Sequence, residues 1–576
     1  MERVKVLEIS DEALLVLKRM QDRRVTSSGS SSSTEPASTD LPSPEAMLTT
    51  EQRLHYLRLA LAAPEISDRL KMKRSQKRIE TGKDRDSEGS RDSSETSAAS
   101  SSANQRGLQC LVCSIGLVEG LGILALPAVT LSLISDLGLS LQNVMVLVLA
   151  QALGQALASP IWAALADANA ANRKTLLALG MFSQGVLTCS FAAANAFVPL
   201  LLLGILKAIA TASLRSVGLG LLAEVTSEQY RGRIFGCLSL AKHLGLAVGC
   251  VASPWLSWHS FFGFEGWRIS VLSTGLLSIA VSLLVALAMR EPPREAPLTD
   301  LEQGVRAELW RLASYCRFPS FLLTVFAGCF KYSAWTLMGY HILILDTFGL
   351  AQQEVAFRAL GQVSAAFGAL FGGFLADLMG RCLPTHGRIL VAQASVALTL
   401  PMCFFALKVS PSSGEFVYQA SLISGMGFTS TWIAGVCLPI LVELAPSSRK
   451  SGIMAWQVAL EGVSSIVVAS IIGVAAPKLV GLELPGAQTA MALAAQQMMV
   501  DTDPQKSSED TALLEEPQHR AEFATAVFVV VAVFWGLALC CYSLLHWSYP
   551  RDCYRAKQKS EAEKWTSQTS RTGHHV

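Results

Sequence analysis

The sequence predicts an all-α membrane protein of twelve transmembrane helices arranged as two pseudo-symmetric six-helix bundles. Three observations carry that expectation. The 576 residues are 51% apolar and only 16% charged, too oily a composition for a soluble chain of this length. Apolar stretches of about 20 residues, enough to cross a hydrocarbon core of about 30 Å, recur from Leu108 onward. Charged motifs at the ends of these stretches repeat between the first half and the second, which is the mark of an internal duplication.

Residues 1–106 hold SSGSSSST and SSETSAASSSA tracts among Glu, Lys and Arg. Such a segment cannot bury enough apolar surface to offset its ordering entropy, so a disordered cytoplasmic tail is expected, with short helical patterns near 6–20 and 51–61. Spans 1 to 6 follow near 108–134, 142–166, 174–194, 197–223, 232–257 and 266–289, and make an N-terminal bundle over 107–290. A charged cytoplasmic central loop at 291–317 leads to spans 7 to 12, near 319–345, 356–379, 388–407, 415–442, 451–475 and 522–547. These make the second bundle, over 318–547. A long acidic loop is expected at about 477–521, and residues 548–576 read as a cytoplasmic C-terminal tail.

Sidedness follows from the short connections. One side carries Arg173, Lys174, Arg231, Arg233, Arg290, Arg294, Arg306, Arg311, Arg317, Arg381, Arg388, Arg449 and Lys450, against Arg268, Arg358 and Lys408 on the other. The basic excess marks the cytoplasmic face and puts both termini there, with the 477–521 loop on the far side. The N-terminal MERVKVLEISDE has no cleavable signal pattern. Net charge, at +2, carries no information.

Other function classes find little support. Thirteen cysteines are scattered singly, apart from Cys110 with Cys113 and the adjacent Cys540 and Cys541, so they read as buried apolar residues and not as a disulfide framework. A phosphate-binding G-x-x-x-x-G-K-[ST] loop is missing, as are H-E-x-x-H and G-x-S-x-G motifs, which argues against an ATP-driven pump and against an enzyme. No cofactor and no metal site are expected; His243 and His341 stand apart. The basic stretch at 69–91 is interspersed with acids, so nucleic acid is not an expected partner.

The repeat is explicit at the helix ends. Span 2 closes PIWAALAD at Asp167 with Arg173 and Lys174 beyond it; span 8 closes GGFLAD at Asp377, 210 residues later (167 to 377), with Arg381 and Arg388 beyond it. Span 4 ends LLAEVTSEQYRGR and span 10 ends ILVELAPSSRK, so Glu224 and Glu443 match at an offset of 219 (224 to 443). An Asp at a helix C-terminus meets the negative pole of its own dipole and needs a positive counterpart. The N-termini of span 11, after Arg449 and Lys450, and of span 5, after Arg231 and Arg233, are the candidates. Two readings stand side by side: a cytoplasmic latch between the halves, or charges that only mark the membrane boundary.

Ionisable residues also fall inside the spans, where each costs about 2.5–3.5 kcal/mol on insertion scales unless it is paired or lines a wet cavity. Glu119, Lys331, Lys242, His243 and Glu461 lie near mid-span, and Lys207 and Arg215 flank the middle of span 4. Glu119 and Lys331 differ by 212 (119 to 331), and Lys242 and Glu461 by 219 (242 to 461), so each acid mirrors a base across the pseudo-twofold. They read either as a substrate or proton site or as static ion pairs holding the halves in register.

The Asp-ended helix followed by basic residues, present in both halves, resembles the loop 2–3 signature G-x-x-x-D-R-x-x-R-R of the major facilitator superfamily, with Ala168 in place of the first Arg. The PAV at 127–129, RGRIFG at 231–236, GWRISV at 266–271, GRI at 387–389 and YPRDCYRAK at 549–557 resemble the spinster-like branch, above all its plant-type members. The resemblance covers about 108–557. It implies a cavity lined by spans 1, 4, 7 and 10, with 2, 5, 8 and 11 beside them. On that basis Glu119 carries a coupling proton or meets a cationic group, while Lys331, Arg215 and Lys207 meet an anionic one. The chain departs from the branch where Gly120, Gly204 and Thr211 replace its Arg, Arg and Glu, whereas Glu461 in LEGVSS matches the plant-type pattern.

The function implied is secondary active transport of a small solute or amphiphile by alternating access, with lysolipids and organic acids as candidate substrates and protons as candidate coupling ions. A transporter-derived receptor or scaffold that binds without transport is the alternative. Membrane lipids and a small-molecule or lipid-like substrate are the expected partners, and a monomer the expected state. Pairs at G-x-x-x-G spacing, Gly116 with Gly120, Gly245 with Gly249 and Gly368 with Gly372, allow close helix approach, and sliding between spans 5 and 8 would suit alternating access. Trp335, Tyr340, Trp432 and Trp456 are candidates for stacking on a substrate or for packing.

Overall fold

The structure is a computed structural model that describes residues 105–123, 130–139, 141–167, 171–257, 259–260, 263–291, 310, 312–338, 354–408, 416–445, 450–480 and 517–572. The expected N-terminal tail, most of the central loop and most of the 477–521 loop lie outside the described residues, as do Pro127–Val129, Ala168, Tyr340, His341 and Arg449. Regular structure among the described residues is helical. Span 1 comprises Gln105–Ile123 and the short helix Thr130–Leu137, which ends at Gly138, whose φ of 59° supplies the left-handed stop. Spans 2 to 6 are Leu141–Asp167, Arg173–Ala192, Phe197–Val225, Arg231–Ser257 and Gly266–Ala288. Spans 7 to 9 are Pro319–Met338, Glu354–Cys382 and Gly387–Lys408. Span 10 runs over Phe416–Leu444, with a tight turn at Thr431–Ile433, and spans 11 and 12 are Lys450–Val480 and Pro517–Thr572.

Among the described residues ten of these helices are long and apolar enough to cross a membrane. Spans 7 and 11, at 20 and 31 residues, complete the twelve. Their polarity is reversed from that of a soluble bundle. Leu287 is 83% exposed and Leu157 71%, while Gln184, Thr188, Ser213, Ser216, Ser278 and Thr399 are buried. The buried hydroxyls donate back into their own helices, as from Thr188 to the Gln184 carbonyl at 2.7 Å and from Ser278 to the Thr274 carbonyl at 2.9 Å, so these hydroxyls are not stranded toward lipid.

The halves meet along two equivalent seams, span 5 on span 8 and span 2 on span 11. Within the halves span 3 packs on 6 and 2 on 4, matched by 9 on 12 and 8 on 10. Residues 98–576 form one compact unit. The expected glycine seam between spans 5 and 8 is corrected in its residues. Gly116, Gly120 and Gly245 join span 1 to span 5: a Cβ on Gly120 would fall on the Lys242 carbonyl oxygen, and one on Gly245 on that of Leu117. Gly368 and Gly372 face span 10 at Phe428 and Trp432, and Gly232, Gly236 and Gly373 make the 5–8 contact instead. One residue turns a helix by about 100°, so the step from 372 to 373 is enough to face a different neighbour.

At the C-terminal end the helix is longer than the expected span. Span 12 does not stop near 547 but continues as a 56-residue helix to Thr572. Ser548, Tyr549 and Asp552 are buried. Asp552 accepts the backbone N–H of Ser320 at 2.9 Å, capping the start of span 7, and the Ser320 and Ser548 hydroxyls bond at 3.0 Å. The exposed Arg551, Tyr554 and Arg555 in the same stretch give it the look of a solvated tail.

Candidate functional site

Two charge clusters form at one end of the bundle, each built by helix ends. In the N-terminal half Arg173, the first residue of span 3, makes a bidentate pair with Glu224 at the end of span 4 and lies 3.8 Å from Asp167. In the C-terminal half Arg388 pairs with Glu443 and lies 3.8 Å from Asp377. Tyr549 of span 12 also donates to Glu443, whereas Glu291 accepts the Arg173 backbone N–H at 2.9 Å. The Asp, Arg and Glu positions thus recur across the pseudo-twofold, with different outer partners.

Both aspartates reach across to the other half. Asp377 accepts the backbone N–H groups of Gly232 at 2.8 Å and Arg233 at 2.9 Å, at the start of span 5. Asp167 accepts that of Gly452 at 3.2 Å, at the start of span 11. These are orphan donors of a helix N-terminus meeting a carboxylate, favourable in charge as well as in hydrogen bonding. Further crossings come from Arg388 to the Glu228 carbonyl at 3.0 Å, Arg381 to the Gln229 carbonyl at 3.3 Å and Lys450 to the Ala223 carbonyl at 3.1 Å. Arg231 pairs locally with Glu228 at 3.7 Å. Lys174 takes no part in these bonds among the described residues.

A cavity of about 640 Å³ lies between the halves, walled by spans 1, 4, 5, 7, 8, 10 and 11. Glu119 on span 1 sits between Lys242 of span 5, at 3.3 Å, and Arg215 of span 4, at 3.4 Å. Across the cavity on span 7, Tyr332 faces Arg215, and the Lys331 ammonium lies 4.7 Å from the Tyr332 ring centroid. Lys331 is within electrostatic reach of Glu461 on span 11, whose Oε1 accepts Gln457 Nε2 at 3.0 Å. Acid and base exchange places between the halves: the acid is on span 1 and the base on span 5, then the base on span 7 and the acid on span 11. Lys242 therefore pairs with Glu119, and the mirrored Lys242 and Glu461 do not meet within ion-pair distance among the described residues.

His243 Nδ1 donates to Gln362 Oε1 at 2.8 Å, joining span 5 to span 8; the amide oxygen can only accept, which assigns the proton to Nδ1. Lys207 does not line the cavity. It precedes Arg215 by eight residues, about 12 Å along span 4, beyond the charged layer. Trp335 lines the cavity and meets Trp535 edge-on at 6.4 Å, while Trp432 packs against Phe371 and Phe428 and Trp456 against a buried cluster of spans 1, 4, 5, 7, 10 and 11.

Several wall residues carry no sequence signal as site residues. Arg358 of span 8 reads as a boundary marker but lines the cavity, and Gln362 and Gln457 are neutral. The i, i+4 spacing of Gln457 and Glu461 is the one local clue. Among the described residues this wall carries Arg215, Lys242, Lys331 and Arg358 together with Glu119 and Glu461.

A profile described as the Major Facilitator Superfamily matches residues 111–469. Among solved structures, the human organic anion transporter TETRAN is 13% identical, covers 77% of this chain and 99% of its own, and gives a TM-score of 0.51. The Escherichia coli fucose:proton symporter is 14% identical over 74% of this chain and 98% of its own, with a TM-score of 0.50. A bacterial homologue of the human lysosomal transporter Spinster, solved inward-facing and unoccupied, is 16% identical over 78% and 98%, at 0.48. At these identities the likeness is one of fold.

Proposed function

Because the chain belongs to the Major Facilitator Superfamily, and so is a multi-pass membrane transport protein, we propose that it is a secondary transporter of a small anionic solute or amphiphile, working by alternating access with proton coupling at Glu119. The observation that carries this reading is the cavity between the halves with Glu119 held by Arg215 and Lys242. Intramembrane charges on such a wall are costly unless they meet water, each other or a ligand. The cations Arg215, Lys242 and Lys331 that come together on this wall favour an anion.

An anion that enters competes with Glu119 for Arg215 and Lys242. The carboxylate it displaces loses its counter-charges and takes a proton. Binding of the anion and of the proton therefore favour one another. The halves are tied at the Asp167 and Asp377 end, so in this reading passage between the cavity and that end waits on the ties parting. By the distribution of basic residues, the tied end is cytoplasmic. Release there requires Asp377 to leave Gly232 and Arg233, and Asp167 to leave Gly452.

The motif resemblance to spinster-like carriers makes lysolipids, sphingolipid phosphates and organic acids the first compounds to try. In proteoliposomes the wild-type protein takes up such an anion, and an imposed pH gradient changes the rate. Uptake by both Glu119→Gln and Lys331→Met at the wild-type rate, with unchanged pH dependence, would falsify the proposal.

A further inference from the structure

Away from the cavity, the turn between spans 8 and 9 carries His386, and span 12 carries His546. Their Nδ1 atoms lie 2.9 Å apart, with the ring centroids at 5.1 Å and the ring planes at 35°. Both side chains are half-buried. The turn is stiff: the His386 and Gly387 N–H groups both donate to the Leu383 carbonyl, at 3.2 and 2.7 Å. A Cβ on Gly387 would fall on the Met379 carbonyl.

His546 is oriented by a second bond. Its Nε2 lies 3.2 Å from Gln393 Oε1, and Gln393 Nε2 donates to Ser543 Oγ at 2.9 Å. An amide oxygen only accepts, so His546 carries its proton on Nε2 and presents the Nδ1 lone pair toward His386. A ring nitrogen freed by a hydrogen bond at the other nitrogen is the usual arrangement of a metal-binding imidazole.

We propose that His386 and His546 form a two-imidazole site for a divalent transition metal ion, Zn²⁺ by preference, with water completing the coordination. Zn–N bonds of about 2.0–2.1 Å at a tetrahedral angle put the two nitrogens about 3.3 Å apart, so the rings part by about 0.4 Å and turn until both lone pairs converge on the ion, which replaces the proton that His386 Nδ1 shares with His546; that proton moves to Nε2 or to water. Imidazole nitrogen selects Zn²⁺, Ni²⁺ and Cu²⁺ over Mg²⁺ and Ca²⁺, which want oxygen. Among the described residues no third His, Cys, Asp or Glu joins the pair to make a closed site, so the ion is exchangeable. The neighbouring cations are engaged elsewhere: Arg388 with Glu443, Arg381 over the Tyr230 ring and Arg551 over the Trp547 ring. A bound ion fixes the turn on span 12 two residues from Arg388.

The test is thermal unfolding of the full-length protein in detergent, without a histidine tag and in a His574→Ala, His575→Ala background that removes the terminal pair. Zn²⁺ and Ni²⁺ raise the melting temperature at pH 7.5, Mg²⁺ and Ca²⁺ do not, and the shift weakens as the pH is lowered, because protons compete with the ion for the ring nitrogens. His386→Ala, on the turn, and His546→Gln each abolish the shift, and Gln393→Ala weakens the apparent affinity by roughly 10–100-fold. A Zn²⁺ shift retained in both histidine variants, or none in the parent, overturns the site. A melting temperature that follows pH alone and ignores Zn²⁺ also overturns it, and makes the pair a shared-proton contact.

Discussion

Asp377 on span 8 holds the backbone N–H of Gly232 on span 5 at 2.8 Å, and with Arg233 at 2.9 Å it satisfies two orphan donors of a helix in the opposite half. Its counterpart Asp167 accepts the Gly452 N–H at the longer distance of 3.2 Å. The two seams share one design, a buried aspartate against the start of a helix in the other half, with the shorter bonds at Asp377. Hydrogen bonds to charged groups contribute about 1.5–3 kcal/mol, which for a conformational equilibrium is about 10–150-fold.

Asp377→Asn removes the charge and one acceptor oxygen. Hydrogen–deuterium exchange at Gly232 and Arg233 should speed up by about tenfold or more, and the cavity should become reachable from the tied end. Asp167→Asn should accelerate exchange at Gly452 by less. Equal effects at the two sites would mean that the bond lengths do not rank the seams.

Gly232 tests the closeness of that seam. A Cβ there would lie 2.6 Å from both Asp377 Oδ1 and the Gly373 carbonyl oxygen, so Gly232→Ala should cost about 1–3 kcal/mol by overpacking and lower the melting temperature. At Gly536 on span 12 an added Cβ would meet nothing within 4 Å. Gly536→Ala should be neutral or should gain up to about 1 kcal/mol from helix propensity.

In the cavity, Glu119→Gln leaves Arg215 and Lys242 facing each other without their shared acid. The single variant should unfold at a lower temperature than wild type, and adding Lys242→Met should restore most of the loss by rebalancing charge. If the double variant is no more stable than the single, Glu119 and Lys242 are not coupled in the way their 3.3 Å contact implies.

Truncation distinguishes a solvated tail from a structural helix. Ending the chain after Trp547 removes Ser548, Tyr549 and Asp552, with their bonds to Ser320 and Glu443, and should abolish stable expression or lower the melting temperature sharply. Ending it after Gln558 should be tolerated. Tyr549→Phe, which deletes only the hydroxyl, should cost about 1–3 kcal/mol by leaving Glu443 short of a donor.

Composition and periodicity alone are sufficient for the twelve spans, because a bilayer demands a length and an oiliness that can be counted. The repeat is also visible in one dimension: Asp167 with Asp377, and Glu224 with Glu443, stand at helix ends where charge punctuates apolar runs. Charges within spans, such as Glu119, Arg215 and Lys331, are conspicuous for the same reason.

What folding alone decides is which side chains meet. In sequence Lys242 is as ready for Glu461 as for Glu119, and Lys207 as ready for the cavity as Arg215, because offsets order residues along an axis but do not say which way each helix is turned. A rotation of about 100° per residue separates Gly372, against Trp432, from Gly373, against span 5. The same freedom hides Asp552, which sits among exposed basic residues in the sequence, yet caps span 7 from a helix face that only packing could bury.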